Sequence, residues 1–358
     1  MLTADQVKAK ALELGFDVVG IARAGRAKGA EDFQRWLEKD YFGDMAWIAK
    51  NPERRSDVRN VVEGAKSVVS VGLLYYMGDP PPEVWNDPMR GRIARYAWGR
   101  DYHDDMTPRI RELAAWIEAE SGRPVPNRAY VDTGPVLEGE WAVRAGLGFQ
   151  GKNTLMIHPE WGSYIFLGEI ILDLELEPDP EGGESKGTCG SCRRCQDACP
   201  THAFPAPYVL DSRLCISYLT IEYRGSIPVA LRSKMKNWIY GCDECQSVCP
   251  WVRQFSKPGK ARFLKYDLDW AAPHLLDLLA LDDQGFRDRF RKSPIPRTKR
   301  RGMLRNVCIA LGNSKNPEVI PALEKAMTDS EPLIREHAEW AISRLSQTAR
   351  DAESDVRL

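Results

Sequence analysis

Three things are scarce in this chain of 358 residues: net charge, long apolar runs, and cysteine outside one short window. Lys and Arg number 50 against 51 Asp and Glu, a formal net charge of -1. There is therefore no overall pull towards nucleic acid, and any such partner must meet a local patch. No apolar run approaches the ~18 residues of a spanning helix. The opening MLTADQVKAKALELG lacks the apolar heart of a secretory leader, and Thr3 to Gln6 reads as a capping box that starts an ordinary helix. These absences predict a cytoplasmic protein with no membrane contact; the length suggests two or three domains, and a monomer is expected although the sequence does not reveal the oligomeric state. Of nine cysteines only Cys308 lies outside 189–249. It sits in the apolar helix "MLRNVCIALG" and is expected to pack there as a small hydrophobe. A secreted disulfide framework would spread its bridges through a smaller chain, so eight clustered cysteines in a reducing compartment argue for metal.

The pattern along the chain predicts an α+β protein of several domains. In 1–178 helix and strand signals alternate, as in an α/β unit. The segments "FDVVGIA" (16–22), "AKSVVSVGLLYY" (65–76), "RIARYAW" (92–98), "RAYVDT" (128–133), "NTLMIH" (153–158) and "YIFLGEIILDLEL" (164–176) read as strands. A helix is expected over 107–120, with Thr107 as cap and Pro108 in its first turn. The acidic Gly/Pro-rich "EPDPEGGESKG" (177–187) reads as a linker. A cysteine module follows over 179–260. From 261 to 358 the pattern is helical, and "LRNVCIALG" and "IREHAEWAI" recur in the manner of stacked HEAT-like helical pairs.

The cysteine spacing is specific. Cys189-x2-Cys192-x2-Cys195-x3-Cys199-Pro200 has the ferredoxin form, in which the fourth cysteine serves the other cluster. Cys242-x2-Cys245-x3-Cys249-Pro250 repeats it, with Cys215 displaced upstream. Zinc needs only two CxxC pairs; the third cysteine at x2 spacing, the prolines and eight ligands favour two [4Fe-4S] clusters. Crossed ligation assigns Cys189, Cys192, Cys195 and Cys249 to the first cluster. Cys242, Cys245, Cys199 and Cys215 then hold the second. Two adjacent clusters relay electrons, and some three hundred further residues predict an enzyme, not a bare carrier.

Two other motifs need weighing. "GLGFQG" (146–151) matches GxGxxG, but it follows a helix and precedes a strand, the reverse of a dinucleotide site. The stretch 287–305 carries nine Lys or Arg against Asp288 alone. Such a run is either a solvated helix face or a phosphate-binding patch, and in a nearly neutral chain it reads as the latter. Arg297, Lys299, Arg300, Arg301 and Arg305 are its candidate contacts, with Tyr223 and Trp238 as candidate stacking partners for an unpaired base.

Together "RYAWGRDYH" (95–103), "YVDTGPVLE" (130–138), "AGLGFQGKNTLMIHPEWGSYIFLGEI" (145–170), both cysteine motifs, "CISYLTIEYRG" (215–225) and "SPIPRTKRRGMLRNVCIALGN" (293–313) resemble the epoxyqueuosine reductases. The resemblance runs through nearly the whole chain. It implies reduction of epoxyqueuosine to queuosine at the wobble position of tRNA, with electrons passing through two [4Fe-4S] clusters to cobalamin. It also implies a corrinoid-binding amino-terminal domain, a ferredoxin-like module, a HEAT-like end that contacts a tRNA anticodon stem-loop, and a reducing electron-donor protein as partner. Asp132 matches the family's proton donor, and burial beside a corrin face would raise its pKa as a general acid requires. Without the resemblance Asp132 reads as a helix cap. Arg55, Arg95, Tyr102, Asp132, His158, Ser163 and Ser217 lie in family-like stretches and are the candidate cobalamin contacts. "DYHDDM" has Met106 where a D-x-H-x-x-G motif needs glycine, so His103 is expected to be a locally bonded loop histidine and not a cobalt ligand. The rival readings are a corrinoid reductive dehalogenase-like enzyme and an electron-transfer protein with a helical binding tail.

Overall fold

A computed structural model describes residues 2–181, 187–264 and 267–355, with side chains as far as Gln347. The strands are β1 (Val18–Arg23), β2 (Ser67–Leu74), β3 (Arg92–Ile93), β4 (Asn127–Tyr130), β5 (Phe149–Gln150), β6 (Met156–Ile157), β7 (Ile165–Leu172) and β8 (Trp238–Tyr240). The helices that matter below are α1 (Ala4–Glu13), α2 (Pro52–Ser56), α3 (Tyr102–Ser121), α4 (Glu138–Arg144), α5 (Ile216–Ile221), α6 (Lys299–Asn313), α7 (Ile320–Ala326) and α8 (Pro332–Asp355).

A four-stranded sheet in the order β1-β2-β7-β4 organises the amino-terminal half. Every neighbouring pair in it is antiparallel, so the helix–strand alternation in the sequence does not produce the parallel sheet usual for that pattern. Period-two patterning buries both faces. Val69, Val71 and Leu73 of β2 pack with Val7 and Ala11 of α1 and with Ile110, Leu113 and Ile117 of α3. On the other face Val68 and Ile171 meet Trp141 and Ala145 on and beside α4. The capping box expected at Thr3 and Gln6 is present.

The packing crosses the chain divisions expected at 178 and 260. Parallel β3 and β8 join the amino-terminal half to the cysteine module. Cys249, Val252, Phe263 and Leu264 belong to the same core as α1 and α3. Ile93, Ala97 and Trp98 are buried with Leu304, Val307, Cys308 and Leu311 of α6 and with Ile334 and Ala338 of α8. The helical end therefore encloses α6 between α8 and the rest of the molecule. Cys308 is fully buried there, and burial pushes its thiol up to about 12. No helix among the described residues is long and apolar enough to cross a membrane.

Several expected elements are corrected. The strand over 92–98 ends at Ile93, and Arg95–Ala97 form a 3-10 turn. The helix expected from 107 begins at Tyr102 under an Asp101 cap, with Pro108 inside it. The expected strand over 153–158 shrinks to Met156–Ile157. Part of the expected linker, 182–186, lies outside the described residues; before it, Asp179 accepts from the Ile21 N–H at 2.9 Å and pairs with Lys8 at 2.8 Å.

Candidate active site and cysteine module

Asp132 lies two residues beyond β4, on the loop leading to α4, with φ at +60. A residue with a Cβ seldom takes this left-handed conformation outside tight turns or functional loops. Its side chain is 51% exposed and Oδ2 lies 3.7 Å from His103 Nε2. The imidazole is fixed from its other side, where Nδ1 meets Asp101 Oδ1 at 2.7 Å. Asp101 also accepts the His103 backbone N–H at 3.0 Å, so one residue both caps α3 and orients the ring. Tyr102 stacks on His103, with centroids 4.1 Å apart, and on Phe166 at 4.3 Å.

The charge distribution corrects one expectation. Burial alone would push the Asp132 carboxyl up, but attraction to His103, then to Arg297 and Tyr102, holds it below the ordinary value. The proton resides on the histidine instead. Burial opposes that charge, yet Asp101 and Asp132 on either side carry His103 up to about 9. Asp101–His103–Asp132 is thus an anion–cation–anion array near neutral pH.

Four of the eight motif cysteines gather round one cavity, and Cys215, Cys242, Cys245 and Cys199 bear on one another electrostatically. Cys189, Cys192, Cys195 and Cys249 line one cavity of about 40 Å³ together with Lys152, Asn153, Ile157 and Trp251. Burial, then Cys189, Cys249 and Cys192 as charged neighbours, pushes the Cys195 thiol up. Burial pushes Cys245 well up, and Cys215, Asp243, Cys199 and Cys195 add to it. Cys242 is raised in the same way, with Cys215 and Cys245 beside it. Crowded thiolates are an unfavourable arrangement unless positive charge compensates them, as iron does for thiolate ligands. Backbone donors already face the sulfurs: Lys152 N–H lies 3.4 Å from Cys189 Sγ and Ala203 N–H 3.3 Å from Cys199 Sγ. Such N–H···S bonds are what iron–sulfur ligands receive. Thiol donors of this kind suit iron–sulfur ligation.

The other sequence candidates divide. Arg55 on α2 reaches the active loop, donating Nη1 to Gly134 O at 3.2 Å. Tyr102 flanks it. Burial lowers the pKa of His158, and Nδ1 accepts the Glu160 N–H at 3.1 Å, which leaves the proton of the neutral ring on Nε2. Ser217, on α5 just past Cys215, turns its backbone N–H to that sulfur. Two candidates are committed internally. Arg95 is buried and bonded to Asp243 (Nη1 to Oδ2, 3.1 Å) and to Asp79. It secures the turn between Cys242 and Cys245, not a ligand's periphery. Ser163 is likewise buried, donating to Gln246 at 2.9 Å.

The basic run is also corrected. Arg305 is fully buried and donates to the carbonyls of Leu219, Tyr223 and Gly225 at 2.7–2.9 Å. It clamps the turn after α5 and has no access to phosphate. Arg300 pairs with Asp329 at 2.5 Å. Arg297 pairs with Glu222 at 2.6 Å and bears on Asp132, so it belongs as much to the active site as to the surface. Arg301 is half-buried, whereas Arg287, Arg291, Lys292 and Lys299 are exposed. Trp238 is core, packed edge-on to Trp85 at 5.6 Å; Tyr223 is half-buried, its hydroxyl donating to Ser226 O.

Sequence reasoning missed Glu138, whose Oε1 accepts the Asp132 N–H at 2.5 Å. It also missed Glu169, fully buried in β7. A lone acid inside "IFLGEIIL" was the available signal.

Comparison with known proteins agrees with this geometry. Residues 188–252 match the 4Fe-4S double cluster binding domain, and residues 55–133 match the family described as epoxyqueuosine reductase QueG. The epoxyqueuosine reductase of Pseudomonas aeruginosa is 42% identical over 351 residues, covering 96% of this chain and 95% of that one. The crystal structure of an epoxyqueuosine reductase with an epoxyqueuosine-modified tRNA-Tyr stem loop superposes with a TM-score of 0.85 at 31% identity, covering 95% and 89% of the two chains. The Bacillus subtilis enzyme, with its aspartate-bearing catalytic loop swung out of the active site, superposes at 0.84 with 30% identity over 95% and 90%. Likeness of this extent, over both the cysteine module and the sheet domain, makes the chain a member of the epoxyqueuosine reductase family.

Proposed function

We propose that this chain reduces epoxyqueuosine in tRNA to queuosine, with Asp132 and His103 supplying protons and the two cysteine sets holding the clusters that supply electrons. The observation that carries the reading is the junction of a proton-holding site with the cysteine module. Tyr102, beside His103, meets Tyr96 edge-on at 6.4 Å; Tyr96 meets Tyr240 at 6.1 Å; and Tyr240 stands two residues before Cys242. Converting an epoxide to an alkene consumes two electrons and two protons and releases water, so both supplies are needed at one place.

The residues present also fit a corrinoid. Phe166 is buried and Tyr102 is stacked between it and His103, so a corrinoid would meet the polar edge of the site, where His103 Nε2 is a buried atom with no hydrogen-bond partner among the described residues and Asp132 Oδ2 lies 3.7 Å away. Tyr102, Asp132, Arg55, His158 and Ser217 would hold the ring's amide groups and tail. Cobalamin, when bound, supplies reduced cobalt that acts on the epoxide carbon or oxygen. The chain's own residues manage protons. Asp132, ionised at rest, stands nearest the open side and relays to the departing oxygen the proton that protonated His103 gives up. Arg297 opposes accumulation of negative charge as the oxygen leaves. An external reducing protein must return electrons to the clusters.

The direct test is anaerobic reconstitution with iron, sulfide and cobalamin, followed by mass analysis of an epoxyqueuosine-modified anticodon stem-loop. About eight iron and eight sulfide per chain are expected for two four-iron clusters, with conversion to queuosine. Stoichiometric zinc without cluster absorbance, or no conversion by a fully loaded protein, would sink the reading.

Helix α6 and the segment before it present the tRNA-facing charge. With Arg305 interior and Arg297 and Arg300 paired, phosphate binding falls to Arg287, Arg291, Lys292 and Lys299. Changing these four to Gln is expected to weaken stem-loop binding and to flatten its log–log salt dependence by roughly 0.7–0.9 for each phosphate no longer neutralised. Cluster and cobalamin content should not change. An unaltered slope in a folded variant would make the run a solvated face.

A further inference from the structure

The loop bearing Asp132 is held from below by groups beyond those that move protons in the proposed reaction. Glu138, the first residue of α4, turns back so that Oε1 accepts the Asp132 N–H at 2.5 Å. Arg55 holds Gly134 O at 3.2 Å on the same loop. Gly134 itself rests on the ring of Tyr130, where an added Cβ would approach a ring atom to 2.4 Å. Behind Glu138 stands Glu169 of β7, with 0% exposure and no hydrogen-bond donor to either oxygen among the described residues. Its register partners are Ser70 and Tyr130, and the Ser70 hydroxyl is also buried without a partner.

Helix α4 packs on β7, which brings the Glu138 and Glu169 side chains within reach of each other. Two ionised carboxylates are acceptors only and repel, so their contact becomes a hydrogen bond only when one carries a proton. Burial, then the charge of Asp132, pushes Glu138 up to about 8 against the opposing hydrogen bond from Glu169, whereas burial, then Glu138 and Asp132, pushes Glu169 well above the carboxylate range. A fully buried acid lacking a donor is a costly feature, and such groups call for a functional explanation.

We propose that Glu138 is the positioning residue that latches the Asp132 loop in its left-handed conformation, and that Glu169 braces it by sharing a proton with it. The shared proton bonds one Glu138 oxygen to Glu169 and leaves the other for the Asp132 N–H. Without that acceptor the Asp132 backbone relaxes from φ +60 towards an extended form and carries the carboxyl away from His103. The inference rests on Asp132 acting at the substrate. A competing role for Glu138, as a negative charge at the start of α4, is only electrostatic. Glutamine separates the two, because it removes the charge and keeps the acceptor.

The test uses the loaded enzyme and the modified stem-loop, comparing Glu138→Ala, Glu138→Gln, Glu169→Gln and Asp132→Asn. Loss of a hydrogen bond from a strained backbone to an acid predicts a kcat fall of about ten- to a hundredfold in Glu138→Ala. KM should change by less than about twofold, because the latch touches no tRNA. Glu138→Gln and Glu169→Gln should each stay within about threefold of the parent, since an amide supplies both the acceptor and the shared hydrogen. If Glu138→Ala fails to fold, Glu138→Asp, one methylene too short to reach, is judged by the same criterion. Parent kcat in Glu138→Ala, or Glu138→Gln as impaired as Glu138→Ala, would overturn the latch. If Asp132→Asn turns over at the parent rate, the catalytic reading of Asp132 fails and takes the latch with it. An inactive Asp132→Asn beside a fully active Glu138→Ala overturns the latch alone.

Discussion

Asp132→Asn is expected to lower epoxide reduction by about 10²–10⁴-fold, the usual contribution of a positioned general acid, while clusters, cobalamin and stem-loop affinity stay at parental levels. Asparagine matches aspartate in shape, can still reach Glu138 through the same backbone N–H, and holds no transferable proton. The variant should also report on His103. In the parent, Asp101 and Asp132 together carry that imidazole up to about 9. A raised histidine is protonated below its folded pKa and loses the proton as pH rises through it. Parental turnover should therefore be sustained at neutral pH and decline on an alkaline limb near pH 9. Removing one of the two flanking charges moves the residual activity's limb to lower pH. Turnover of Asp132→Asn at the parent rate would return Asp132 to the role of a loop or cap residue. An unmoved limb in a slow variant would show that His103 does not feed the site.

What was legible in the sequence follows from how local its causes are. The cysteine sets are spelled out by spacing, and the long strands β1, β2 and β7 by β-branched runs that need no distant partner to be recognised. The errors occur where a remote group decides. Arg95 ends the expected strand because its backbone N–H goes to Asp243 Oδ2, 148 residues away, at 2.9 Å. Helix α3 starts ahead of Thr107 because Asp101 caps it. Pro108 is tolerated inside that helix, although proline normally marks the first turn. Arg305 was read with its charged neighbours, yet it stands between Leu304 and Val307 on a helix buried from Gly302 to Gly312, and in such surroundings a guanidinium must find carbonyls. The Asp101–His103–Asp132 array joins a helix cap to a loop far along the chain, and spacing carries no trace of that meeting. The same holds for Glu138 and Glu169, each unremarkable alone and chemically distinctive only side by side.

The two cysteines farthest from the compact motifs give the sharpest contrast in expected effect. Cys215→Ser should reduce iron and sulfide from about eight to about four per chain, counting four of each in every cubane cluster, and bring turnover to background. Cys308→Ala should change neither. Cys215 ends a 3-10 turn and opens α5; burial pushes its thiol up, and the backbone N–H groups of Tyr218 and Ser217, which face the sulfur, offset only part of that. It neighbours Cys242, Cys245 and Cys199 electrostatically, which supports its expected place in the second set of four. A serine oxygen there is shorter, harder and far less acidic, and leaves a three-thiolate site. Electrons arriving through the first set would then have no intact second cluster through which to reach the junction at Tyr240 and Tyr96. Cys308 is fully buried among Met303, Leu304, Val307 and Leu311, in a hydrophobic cluster that contains none of the eight motif cysteines. Its removal leaves a methyl-sized gap, worth ~1 kcal/mol of stability, which melting would register and cluster content would not. Full iron in Cys215→Ser, or depleted iron in Cys308→Ala, would show the second set to be wrongly drawn.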